Sequence, residues 1–161
     1  MEWKDSNITL PLPKRNELTS LIEQNGVRME VPAKKVFLKP GDTLNGVYYI
    51  AEGRTRHFMC APDGAEKLLY TLSAGWFYGE TPCVLHDSTG LFSKTEKPSV
   101  LYLIPMQNYD RLLAESSLFR KAILQSYSQK MRILRQEIAN LSFTPCKDRL
   151  RRLYCSTAGT S

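Results

Sequence analysis

The sequence predicts a mainly β fold with added helix: a small antiparallel β-roll followed by a long C-terminal helix. Three observations carry this. From Phe37 to Glu80 the chain reads FLKPGDTLNGVYYIAEGRTRHFMCAPDGAEKLLYTLSAGWFYGE, short apolar runs separated by turn residues at the places where a roll must reverse. From Asn108 to Leu141 there is neither Gly nor Pro. Within that stretch Leu124, Tyr127, Met131, Leu134, Ile138 and Leu141 follow one another at spacings of 3, 4, 3, 4 and 3, the period of a helix seam.

Residues 1–26 are polar and form a lead-in with one short helix, NELTSLIEQNG, ending on Gly26 as a left-handed cap. Residues 27–105 carry the strands: VRMEV, KKVFL, GVYYIAEG, RTRHFMCA, EKLLYTL and SVLYLIP. The turns Lys39-Pro40-Gly41-Asp42 and Pro62-Asp63-Gly64 lie between them, Pro presetting φ and Gly accepting positive φ. Such tight connections require antiparallel neighbours. Residues 106–143 form the helical segment, which stops before Thr144-Pro145 because the residue ahead of Pro is pushed out of the α region. Residues 144–161 read as a hinge, a basic helical turn CKDRLRRLYC and a small polar end.

A length of 161 residues fits one domain with a real core, and 42% hydrophobic with 24% charged residues is an ordinary globular composition. No segment approaches the ~20 apolar residues that span a membrane. The N-terminus lacks the order of a secretory signal, so a cytoplasmic location with Cys60, Cys83, Cys146 and Cys155 as free thiols is expected. No CxxC is present, and with only His57 and His86 no metal site, no cofactor and no catalytic triad can be read; the chain is expected not to be an enzyme. The net charge of +6 is uneven. Nine basic residues against two acidic ones between Arg120 and Arg152 give that segment +7. It is either a solvated helix face or a surface for an acidic partner.

The six-residue stripe, flanked by long charged side chains, is expected to be the interface of a parallel homodimer: Leu124, Tyr127, Met131, Leu134, Ile138 and Leu141.

With roll, glycines and seam helix together, the chain resembles the effector half of a CRP/FNR-type transcription regulator over roughly residues 18–155. The matching features are the Lys39–Asp42 turn, YYIAEGRTR with Gly53, Asp63-Gly64 at a hairpin tip, and Phe77-Tyr78-Gly79-Glu80 at the start of the phosphate-binding segment. The resemblance implies a double-stranded β-helix, a jelly roll of the cyclic-nucleotide-binding-domain kind, followed by a dimerisation helix. It implies a small-molecule effector as partner, and DNA only through a helix-turn-helix domain that this sequence does not contain.

Cyclic-nucleotide binders of the family carry an Arg-Ser/Thr-Ala step after the Gly-Glu pair, whose guanidinium grips the cyclic phosphate; here Ser88-Thr89-Gly90 stands in that place. An uncompensated buried phosphate is costly, so an effector other than cyclic AMP is expected. Residues 63–70, and the helix around Tyr127 and Lys130, are similar to the CprK-like group of halophenol sensors. The candidate ligand site is therefore Tyr70, Trp76, Tyr78, Gly79, Glu80, Phe92, Tyr127 and Lys130. Aromatic walls with Lys130 as a free cation suit a small aromatic anion. The alternative is a stand-alone sensor or interaction module without DNA binding.

Overall fold

A computed structural model describes residues 12–143. Helix α1 (Leu12–Glu23) precedes β1 (Val27–Val31), β2 (Val36–Leu38), β3 (Gly46–Cys60), β4 (Glu66–Ser73) and β5 (Phe77–Tyr78). Helix α2 (Glu80–Leu85), strand β6 (Phe92–Pro105), α3 (Met106–Glu115) and α4 (Ser117–Phe143) follow. The hinge at 144–161, with Cys146, Cys155 and CKDRLRRLYC, lies outside the described residues, as do residues 1–11 of the lead-in.

All strands join one antiparallel sheet in the order β1-β6-β3-β4, with β2 added to β6 and β5 to β3. The expected mainly β jelly roll with a long C-terminal helix is what forms. Two long strands, β3 and β6, make its spine, and both bend where their pairing register shifts between Ile50 and Thr55. The segments expected as two strands, GVYYIAEG and RTRHFMCA, are one continuous strand through Gly53. Gly53 has φ 98°, and a Cβ there would overlap Ser99 on β6, so the bend needs a residue without a side chain.

Strand alternation splits the apolar residues into two cores. Tyr49, Phe77, Tyr102 and Ile104 point toward α1, α3 and the start of α4, where they meet Leu18, Ile22, Tyr109 and Phe119. Their sequence neighbours Ile50, Tyr78 and Leu101 point into the roll with Leu72, Trp76 and Ile133. The far half of the roll interior is polar: buried His57 bonds Thr55 through Nε2 and Ser93 through Nδ1, each at 2.9 Å, so its desolvated ring nitrogens are both satisfied.

Two local expectations are corrected and one element is new. Gly26 does not adopt the left-handed cap; a Cβ there would sit 3.2 Å from the Tyr102 Cβ and 3.1 Å from the Ile22 carbonyl oxygen, so a side chain fits only if these neighbours shift by a few tenths of an ångström. The helical segment is not continuous, because Ser116 takes an extended conformation (φ −110°, ψ 112°) and its Oγ accepts the Phe119 amide at 3.1 Å, capping α4. Arg120 then donates to the carbonyls of Leu113 and Ala114 at 2.7 and 2.9 Å, satisfying the end of α3 and using one of the basic residues counted above. Helix α2 was not foreseen; Pro82 fits its first turn, where no intrahelical N–H is needed.

Candidate functional site

Gly79, at φ 90°, turns the chain from β5 into α2; a Cβ there would lie 2.5 Å from Leu44 Cδ2. This turn directs Glu80, the first residue of α2, inward until only 2% of it is exposed. Facing it, α4 buries Phe119, Ala122, Ile123, Ser126, Lys130 and Ile133, one stripe at helical period against the roll. Lys130 thus points at Glu80, and Nζ donates to both carboxylate oxygens at 2.8 Å. Ser126 Oγ lies 3.4 Å from the same carboxylate. The ammonium also sits about 6 Å from the ring centroids of Tyr78 and Tyr127.

Around this pair lies a cavity of about 530 Å³ between the roll and α4. Its walls are Tyr70, Tyr78, Tyr127 and Leu134; Gly79, Glu80 and Lys130 form one end, and the segment Asp87–Leu91 forms a rim. The Tyr78 hydroxyl is held 3.2 Å from Thr89 Oγ1, and its ring is tilted onto His57 at 4.0 Å between centroids. Burial raises the pKa values of Tyr70, Tyr78 and Tyr127, so all three are neutral phenols. Burial, aided by the Lys130 charge, pushes His57 well below its usual 6.5. For Lys130 burial lowers the pKa while Glu80 opposes the shift.

Six of the eight expected ligand-site residues line this cavity: Tyr70, Tyr78, Gly79, Glu80, Tyr127 and Lys130. Trp76 does not; it is 1% exposed and packed inside the roll, where its backbone carbonyl pairs with Ile50. Phe92 does not either, because its register opposite Phe58 stacks the two rings 5.3 Å apart. Lys130 is not a free cation, since Glu80 neutralises it. The acidic partner lies fifty positions away, beyond any local pattern. Thr81, Asp87, Ser88 and Thr89, from α2 and the segment after it, also line the cavity; of these the sequence marked only Ser88 and Thr89, as the step standing where the phosphate-gripping arginine is expected.

Of the seam residues, Leu124, Met131, Ile138 and Leu141 are exposed on α4, while Tyr127 and Leu134 are half-buried and turned toward the roll. Cys60 is exposed; Cys83 is buried with its thiol donating to the Gly46 carbonyl at 3.2 Å, and burial raises its pKa. Among the described residues no cluster could hold a metal ion, and no helix is long and apolar enough to cross a membrane.

Several solved structures share this architecture. The c-di-GMP-responsive global regulator CLP of Xanthomonas campestris superposes with a TM-score of 0.77 at 20% identity, over 86% of this chain and 70% of that one. A CooA mutant from Carboxydothermus hydrogenoformans gives 0.70 at 20% identity, over 96% and 97%. Oxidized CprK in complex with o-chlorophenolacetic acid gives 0.66 at 18% identity, over 88% and 60%. Identities this low establish a shared fold. A search of curated proteins finds no match. Residues 28–116, more than half of the sequence, match the cyclic nucleotide-binding domain, and they run from the second residue of β1 through the end of α3 with Gly53, Gly79 and Glu80 in place; the chain belongs to the cyclic nucleotide-binding domain family.

Proposed function

We propose that this chain is the ligand-sensing effector domain of a CRP/FNR-type transcription regulator, that its effector is a small aromatic molecule and not cyclic AMP, and that it dimerises through α4. The observation that carries the reading is the cavity itself. It is walled by three tyrosines, and among the described residues lining it Lys130 is the single basic side chain. Nothing there offers the two-pronged donor that a cyclic phosphate requires once it leaves water. Flat rings lining a cavity favour an aromatic guest held by stacking and dispersion. The likeness to CprK, whose structure holds o-chlorophenolacetic acid, supports the same ligand class.

Transmission follows from the position of α4. It forms one wall of the cavity with Tyr127, Lys130 and Leu134, and carries the exposed apolar stripe on the same turns. A ligand that favours one packing of the roll against α4 shifts the dimer population by no more than its differential affinity. On this reading DNA is reached through a separate helix-turn-helix domain, as the resemblance to CRP/FNR-type regulators implies. The test is titration calorimetry and thermal shift with halogenated phenols and cyclic AMP. The phenols are expected to bind and to raise the melting temperature. A micromolar or tighter constant for cyclic AMP overturns the reading.

A further inference from the structure

From the charge arrangement in the cavity, and resting on the aromatic-effector reading above, we infer that the site takes its effector uncharged, as a protonated phenol or comparable hydroxyl-bearing ring, and turns away the corresponding anion. The lining has one basic side chain, Lys130, against two acidic ones, Glu80 and Asp87, among the described residues. Lys130 and Glu80 are 9% and 2% exposed and already joined by two contacts of 2.8 Å. An anion entering here has two arrangements available. It can displace Glu80 from the ammonium, which strands a buried carboxylate without its cation. It can sit beside the intact pair, which leaves the guest charge itself uncompensated. Both carry the cost of an unpaired buried charge.

A neutral hydroxyl meets neither cost. An ammonium has three N–H donors, and the contacts to Glu80 use two of them, leaving one for a ligand oxygen. A carboxylate keeps acceptor sites on each oxygen after one bond apiece, so Glu80 can take the ligand's own proton donor. The pair is therefore a donor–acceptor unit complementary to a phenol O–H, with the ring left to lie among Tyr70, Tyr78 and Tyr127. The titratable groups around the pair are Tyr70 from β4, Tyr78 from β5, Cys83 of α2, Asp87 after α2, Tyr109 from α3 and Tyr127 from α4, with His57 of β3 behind Tyr78; burial raises the pKa of the Cys83 thiol and of the Tyr109 phenol, so both are neutral. The tyrosines are neutral and His57 is uncharged over the neutral range, for the reasons given above.

The test uses two phenols of nearly equal shape, trichlorophenol, which ionises near neutrality, and trimethylphenol, which ionises in the ordinary phenol range near 10. Each is titrated calorimetrically into the full chain between about pH 6 and about pH 9. Trichlorophenol affinity is expected to fall about tenfold per pH unit above the ligand's own pKa, while trimethylphenol affinity stays level. Trichlorophenol affinity that is flat or rises as the anion forms overturns the inference, and so does a parallel loss for trimethylphenol, which would place the titration on the protein. Glu80→Gln, checked for folding by circular dichroism, is expected to bind the trichlorophenolate at least about tenfold better than the wild type at the upper pH. No such gain in a folded variant also overturns the inference; if the variant does not fold, the two wild-type curves decide. Absence of binding by both phenols at every pH overturns the aromatic-effector reading itself, a result distinct from binding of the anion.

Discussion

Lys130 of α4 donates from Nζ to both carboxylate oxygens of Glu80 at 2.8 Å, so the one basic side chain in the described cavity wall is neutralised by the first residue of α2. The contact ties the long helix to the roll at the same point where a ligand would touch both. It also makes the site's charge zero at its centre, where a free lysine would have made it positive.

Removing one member of this pair should be costly and removing both should not. Lys130→Met strands a buried carboxylate and is expected to lose about 3–5 kcal/mol in denaturant unfolding. The double variant Glu80→Gln with Lys130→Met should recover most of that loss, because no buried charge remains. Additive losses in the double variant would show that the two side chains do not act as a pair.

The exposed stripe on α4 gives a second test. Ile138 is 64% exposed and, unlike Met131 and Leu134, does not line the cavity, so Ile138→Glu places two carboxylates against each other in a parallel seam without entering the ligand site. Sedimentation should report a dimer for the wild type and a monomer for the variant, with a cost of several kcal/mol to association. An unchanged dimer would remove α4 as the interface. Leu134 is the poorer choice for this purpose, since it also walls the cavity.

His57 should make stability depend on pH in one direction. Burial holds its folded pKa well below the unfolded value of 6.5. Between those two values the unfolded chain binds a proton that the native ring does not. Stability from this group is thus complete above 6.5 and declines as pH falls through the window toward the folded pKa, by up to about 1.4 kcal/mol per pH unit. His57→Gln should be less stable than the wild type at neutral pH, since Thr55 and Ser93 lose well-placed partners, yet its stability should vary less between about pH 7 and about pH 5. Parallel pH curves for the two proteins would exclude His57 as the source.

Gly53 combines a positive φ with no room for a side chain. Gly53→Ala must both hold φ near 98° and clear Ser99, so it is expected to cost about 2–3 kcal/mol in thermal or denaturant unfolding. Gly64→Ala is the matched control, with a similar φ of 86° but nothing within 4 Å of the added methyl, and should cost only about 1–2 kcal/mol.

Local chemistry was legible in the sequence because it acts over a few residues. Lys39-Pro40-Gly41-Asp42 and Pro62-Asp63-Gly64 turn the chain where they stand, and the change of period after Pro105 separates strand from helix. The roll, the long helix and the exposed heptad stripe all follow from such short-range rules. Five of the six expected residues that reached the cavity did so for a related reason: Tyr78, Gly79 and Glu80 make the turn into α2, and Tyr127 and Lys130 lie on one face of α4, while Tyr70 comes from β4. The rest depended on how distant elements meet. Trp76 and Phe92 belong to the roll interior and to a cross-strand stack because the register of β3 against β5 and β6 sends them there, and register is a property of the assembled sheet. The charge of Lys130 was decided by the docking of α4 onto α2, which brings Glu80 within hydrogen-bond reach across fifty residues of sequence. No periodicity encodes that contact; it exists only once two separately formed elements bury the same space.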